Sequence, residues 1–139
     1  MIKVLIVEDD LSIADLLQTA LEAQGYCVTG IARTVEEAME SAEQDEPDFA
    51  VVDVHLAKGG LGSDVGARLR KTTNVRIMFS TGNGDNKKLT TLEGDAILTK
   101  PYRLDDVGRG LEIVGEMARF GQTHLAFPRN FRLLTPALA

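Results

Sequence analysis

The sequence predicts an α/β protein built on a doubly wound, five-stranded parallel sheet. Three observations carry that expectation. Short apolar runs at residues 2–7, 49–52, 77–79 and 96–98 are rich in Val, Ile or Leu and too short for helices, the pattern of parallel strands buried on both faces. Segments with helical spacing lie between them, so strand and helix alternate about five times along the chain. A polar residue also closes each run: Glu8 and Asp9, Asp53, Thr81 and Lys100. In open parallel sheets ligands bind outside the carboxyl ends of the strands, so these side chains occupy the edge where a site is expected.

After the first strand, Ile13, Leu16, Leu17, Ala20 and Leu21 recur at helical spacing, with Asp10 or Ser12 as the N-cap and Gly25 as the stop. Residues 27–31 form the second strand, in which Cys27 is expected to be buried. Thr34 and Glu37 make a capping box ahead of Val35, Ala38, Met39 and Ala42, and this helix ends before Pro47. The third strand carries Asp53, and the Gly59-Gly60-Leu61-Gly62 loop leads to a third helix with Val65 and Leu69 on one side. Beyond Ser80-Thr81, Gly82-Asn83-Gly84-Asp85 is a strong turn signal, and only Leu89 and Leu92 are apolar up to residue 93. A short, weak or irregular fourth helix is expected there. The fifth strand ends at Lys100, and Asp105 caps a last helix that turns Val107, Leu111, Val114 and Ala118 inward and frays near Gly121.

Length and composition narrow the classes of function. A chain of 139 residues, 44% hydrophobic, suffices for one core, so residues 1–120 are read as one domain and residues 121–139 as a tail without an output domain. The tail lacks acidic residues, carries Arg129 and Arg132, and scatters Leu125, Phe127, Phe131, Leu133 and Leu134 without a period. It is expected to fold back on the domain or stay loose. No apolar stretch is long enough for a bilayer and no leader precedes the first strand, so a soluble cytoplasmic protein without membrane contact is expected. One cysteine and two isolated histidines give neither a disulfide nor a zinc spacing. A net charge of −6 disfavours direct nucleic-acid binding, which needs clustered Lys and Arg.

Glu8, Asp9 and Asp53 come together if the first and third strands are neighbours, as in the flavodoxin-like order 2-1-3-4-5. Three carboxylates at one place repel each other, and a hard divalent cation such as Mg²⁺ resolves the repulsion while holding a phosphoryl oxygen. Lys100 can place a point charge on that group and the Thr81 hydroxyl can donate to it. Asp53 is then the natural nucleophile, forming an acyl phosphate while metal and lysine offset the developing charge. Taken singly, each residue has a plain structural reading as a helix cap or loop hydroxyl. Four strand ends in this order point instead to one shared site.

Val7-Glu8-Asp9-Asp10, Val51-Val52-Asp53-Val54, Phe79-Ser80-Thr81-Gly82 and Leu98-Thr99-Lys100-Pro101-Tyr102 resemble the motifs of a response-regulator receiver domain over residues 1 to 120. The resemblance implies that Asp53 accepts a phosphoryl group from a sensor histidine kinase or a histidine phosphotransfer protein. It implies that Glu8, Asp9, Asp53 and the backbone carbonyl of His55 organise Mg²⁺, that Thr81 is the switch, and that the Lys100-Pro101 bond is cis. Such a protein is a phosphoacceptor rather than an enzyme, with at most self-phosphorylation from small donors and autodephosphorylation. It is expected as a monomer or weak homodimer that signals through protein contacts, with a phosphate sink or shuttle as the alternative. Phe79-Ser80-Thr81-Gly82 followed by Gly84 is also similar to the FAT GUY subgroup, often single-domain proteins of general-stress phosphorelays. Ile97 stands where the family's switch carries an aromatic ring, so the signal is expected to leave through the loop at Gly82-Asn83-Gly84 and the short helix after it.

Two other functions compete. A phosphatase of the haloacid-dehalogenase type also forms an aspartyl phosphate, but it needs an acid two residues after the nucleophile, where this chain has His55. A dinucleotide loop could be read in Gly60, Gly62 and Gly66, although Asp53 just before it would repel pyrophosphate.

Overall fold

A computed structural model describes residues 1–82 and 88–137. The strands are β1 (Lys3–Val7), β2 (Cys27–Ala32), β3 (Phe49–Asp53), β4 (Arg76–Thr81), β5 (Ala96–Thr99) and β6 (Phe131–Leu133). The helices are α1 (Leu11–Ala23), α2 (Val35–Gln44), α3 (Gly62–Thr72) and α4 (Leu104–Phe120). The sheet order is β2-β1-β3-β4-β5-β6, with the first five strands parallel and β6 antiparallel to β5. The predicted order is therefore present, with one strand added at its edge.

Strand alternation divides the core in two. Leu5, Val7, Val52, Ile77, Phe79 and Ile97 pack beneath α2 and α3, and Val4, Ile6, Val51, Met78 and Leu98 pack beneath α1 and α4. Every residue of the β1 run from Val4 to Val7 is fully buried, which is why its sequence shows no polar alternation.

The local signals act largely as read. Asp10 caps α1 by accepting from the N–H groups of Ser12 and Ile13 at 3.0 and 3.3 Å. Thr34 accepts from the Glu37 N–H at 3.1 Å, while the Glu37 carboxylate reaches one residue further back, to the Arg33 N–H. Several details differ. Leu16 is exposed because α1 buries the face of Ala14, Leu17 and Leu21. Ala118 is exposed too, where the end of α4 runs past the sheet. Cys27 is only half-buried, since β2 is an edge strand. Asp105 does not cap α4; the carboxylate of Asp106 instead accepts from the Arg103 N–H at 2.9 Å.

One larger correction and one expectation made specific concern the segments around β5. Residues 88–95 form turns rather than a helix, and the Gly82-Asn83-Gly84 signal runs into residues 83–87, which lie outside the described residues. The tail folds back and pairs Leu98 with Phe131, Ile97 with Arg132 and Ala96 with Leu133. Its irregular apolar spacing has a physical cause. Phe131 packs on the α1/α4 side of the sheet and Leu134 on the α2/α3 side, so the tail serves both half-cores at once.

Candidate functional site

Glu8 and Asp9 follow β1, and Asp53 ends the adjacent β3, so the parallel pairing of Val7 with Val52 brings the three carboxyl groups to one edge. One oxygen of each lies within 4.8 Å of the others. Glu8 is 3% exposed, and Asp9 and Asp53 are partly exposed. The Asp10 N–H donates to Glu8 Oε2 at 3.2 Å, and the His55 N–H donates to Asp53 Oδ1 at 3.2 Å, so the backbone aims both acids.

Burial pushes the Glu8 carboxyl up to about 8, helped by its hydrogen bond to Asp53 and the charge of that neighbour. The Asp10 N–H opposes the rise without cancelling it. At neutral pH the cluster therefore holds a proton in place of a positive charge. An all-oxygen donor set of this charge suits a hard divalent cation, which would displace that proton.

The neighbouring strand ends carry the other predicted residues. Thr81 closes β4, is buried, and its hydroxyl donates to the Gly82 carbonyl at 3.1 Å. Lys100 follows β5 and its N–H donates to the Thr81 carbonyl at 2.8 Å, so these two residues are joined through the backbone. The Lys100-Pro101 bond is cis. His55 lies on an exposed turn bridged to Leu61. Ile97 is fully buried on the α2/α3 side, in the same cluster as Phe79 and Leu134.

Two polar contacts were not foreseen. The hydroxyls of Ser80 and Tyr102 are hydrogen-bonded at 2.9 Å, tying the end of β4 to the chain entering α4. Both stand beside site residues in the sequence, but only the sheet register brings them together. The second is the hydrogen bond from Asn130 Nδ2 to the Pro101 carbonyl at 3.0 Å. Its sequence separation hides it.

The glycines after Asp53 serve packing. A Cβ on Gly62 would run into the Asp53 carbonyl, and one on Gly66 into the Glu93 carbonyl. The Gly62 N–H is already spent on the Val54 carbonyl at 2.7 Å. These glycines let α3 sit close against β3 and the β4–β5 connection, which accounts for them without a dinucleotide.

A doubly wound sheet with clustered carboxylates, a threonine and a lysine on its carboxyl edge defines a class of phosphoryl-handling folds. Within that class the chain belongs to the response regulator receiver domain family, whose profile matches residues 4–112. It is 34% identical over 115 residues to the alkaline phosphatase synthesis transcriptional regulatory protein PhoP of Bacillus subtilis, covering 81% of this chain and 48% of that protein. It is 39% identical over 80 residues to the phyllosphere-induced regulator PhyR of Methylorubrum extorquens, covering 57% of this chain and 30% of that protein. The chain thus spans half or less of the length of the curated relatives it matches. Among solved structures it resembles the signal receiver domain of a modulated diguanylate cyclase from Desulfovibrio desulfuricans G20, with a TM-score of 0.75, 31% identity, and coverage of 86% and 98% of the two chains. SdrG from Sphingomonas melonis Fr1 is similar at a TM-score of 0.68 and 29% identity, with coverage of 82% and 96%. Among the described residues no helix is long and apolar enough to cross a membrane.

Proposed function

We propose that the protein acts as a response-regulator receiver that accepts a phosphoryl group on Asp53 and signals through protein contacts. The observation that carries this reading is the convergence of Glu8, Asp9 and Asp53 within 4.8 Å, on an edge that Thr81 and Lys100 share. The donor is a phosphohistidine on a sensor kinase or phosphotransfer protein. A carboxylate oxygen of Asp53 forms the new P–O bond as the P–N bond breaks, and the electron pair of that bond leaves with the imidazole, which takes up a proton. Lys100 and the Thr81 hydroxyl place a positive charge and a hydrogen-bond donor on the transferred group. Glu8, Asp9, Asp53 and the His55 carbonyl would hold Mg²⁺, which supplies charge neutralisation on phosphoryl oxygens.

Residues 1–120 form the receiver unit in this reading, and residues 121–139 are an accessory segment rather than an output domain. Phe79-Ser80-Thr81-Gly82 supports placement in the FAT GUY subgroup, and therefore a role in a phosphorelay.

Incubation with acetyl phosphate and Mg²⁺ tests the assignment by intact mass. The expected result is a gain of one phosphoryl group that needs the metal and is absent from Asp53→Asn. A gain that survives in that variant would move the acceptor elsewhere.

A further inference from the structure

The tail touches the chain on both sides of the site's distal edge. Thr99 donates its N–H to the Asn130 carbonyl at 2.9 Å, and the Asn130 side chain donates to the Pro101 carbonyl at 3.0 Å. Between those two contacts, the Lys100 N–H goes to the Thr81 carbonyl. Residues 99–101 are therefore clamped between the last residue of β4 and the tail. Further along, the Leu134 N–H donates to the Asp95 carbonyl at 2.9 Å, and the Thr91 N–H donates to the Thr135 carbonyl at 3.1 Å. The same tail thus also holds the connection that leaves Thr81 and returns to β5.

The attachment is specific but slender. It consists of a three-residue strand, two buried anchors, Phe131 and Leu134, on opposite faces of the sheet, and the partly buried Leu125 and Leu133 on the α1/α4 side. Residues 121–130 lead to it without helix or strand. An element held by few contacts belongs to the low-stability part of a fold and opens without global unfolding. Asn130 itself has φ 66, a left-handed conformation that Asn tolerates better than most residues, so its backbone and its amide both serve the clamp.

We propose that residues 128–135 are a latch on the reporting edge of the sheet, paired with β5 while Asp53 is unmodified and loosened when residues 99–101 shift toward a phosphoryl group on Asp53. This rests on the phosphoacceptor reading. Displacement of the segment that carries Lys100 misaligns both contacts to Asn130, and release of the tail uncovers the β5 edge and the apolar seats of Phe131 and Leu134. Coupling of this kind is reciprocal, so weakening the latch favours the phosphoryl-bound state by the same factor.

Hydrogen exchange on the full chain tests the latch, with beryllofluoride and Mg²⁺ as a phosphoryl mimic and acetyl phosphate as the covalent donor. The expected result is exchange about tenfold faster at the amides of Thr91, Thr99 and Leu134 when the mimic binds, with Leu5 and Ile6 unchanged. Asn130→Gly keeps a left-handed backbone accessible and removes the side-chain donor, so it should speed the same amides without the mimic and tighten beryllofluoride binding. Asn130→Asp provides the same loss of donor with the original side-chain shape if the glycine variant does not fold. Bound mimic with unchanged exchange at these three amides overturns the latch and leaves the phosphoacceptor reading standing. Failure of both mimic binding and covalent modification overturns that reading and the latch with it.

Discussion

Glu8 illustrates how one buried side chain sets the behaviour of a whole site. Its carboxyl titrates near 8 in the folded protein and near 4.5 in the unfolded chain, so between those values the native state holds the extra proton. Stability from this group is fully present below the unfolded value and is lost as pH rises through about 8. Urea unfolding in EDTA should show that decline, and Glu8→Gln should flatten it. Asp9 contributes repulsion to the same cluster. Asp9→Ala should therefore be more stable than wild type without metal, and its melting temperature should no longer rise with Mg²⁺. A Mg²⁺ response equal to that of wild type would remove Asp9 from the metal site.

At the level of elements, the connection between α3 and the rest of the fold depends on the absence of a side chain. Gly66→Ala would press a methyl group onto the Glu93 carbonyl and the Phe79 ring. Since the main obstacle is backbone, relief needs movement of the 88–95 turns, and we expect a loss of about 1–3 kcal/mol in chemical denaturation. β6 contributes differently. Phe131 and Leu134 are each 7% exposed, so Leu134→Ala should cost about 2–4 kcal/mol, and removal of residues 122–139 should cost more than either anchor alone. A truncated chain as stable as the full one would show that the tail does not complete the core.

Across the whole molecule, the acidic edge and the remaining surface respond to different conditions. Mg²⁺ should raise the melting temperature progressively, because a ligand bound by the native state alone adds RT ln(1 + [L]/Kd) of stability. Monovalent salt at equal ionic strength should not reproduce the rise, since it screens the buried Glu8 poorly. The signal path is also a property of the whole fold. Ile97 is fully buried in the cluster that holds Leu134, and backbone contacts join Thr81 to Lys100, Thr99 to Asn130 and Asp95 to Leu134; in the proposed latch these contacts are the route out of the site. Thr81→Ala should leave Asp53 open to modification while weakening the change in exchange at residues 88–95. An undiminished change in that variant would take Thr81 out of the route.

The sequence by itself determined the alternation of strand and helix, the burial of the strands on both faces and the edge on which the polar residues gather. Those features follow from strand period, capping residues and the positions at which the apolar runs stop, all of which act within a few residues of the chain. The close approach of Glu8, Asp9 and Asp53 was legible for the same reason, because adjacent parallel strands that end together must bring their next residues together. Only the tertiary structure decided what covers β5. The tail has no period to read: its anchors point to opposite faces, its strand is three residues long, and its partners Asp95, Thr99 and Pro101 lie about 30 residues or more away along the chain. The rise of the Glu8 carboxyl belongs to the same category, since it comes from burial, and burial is a property of the assembled sheet and helices rather than of Val-Glu-Asp.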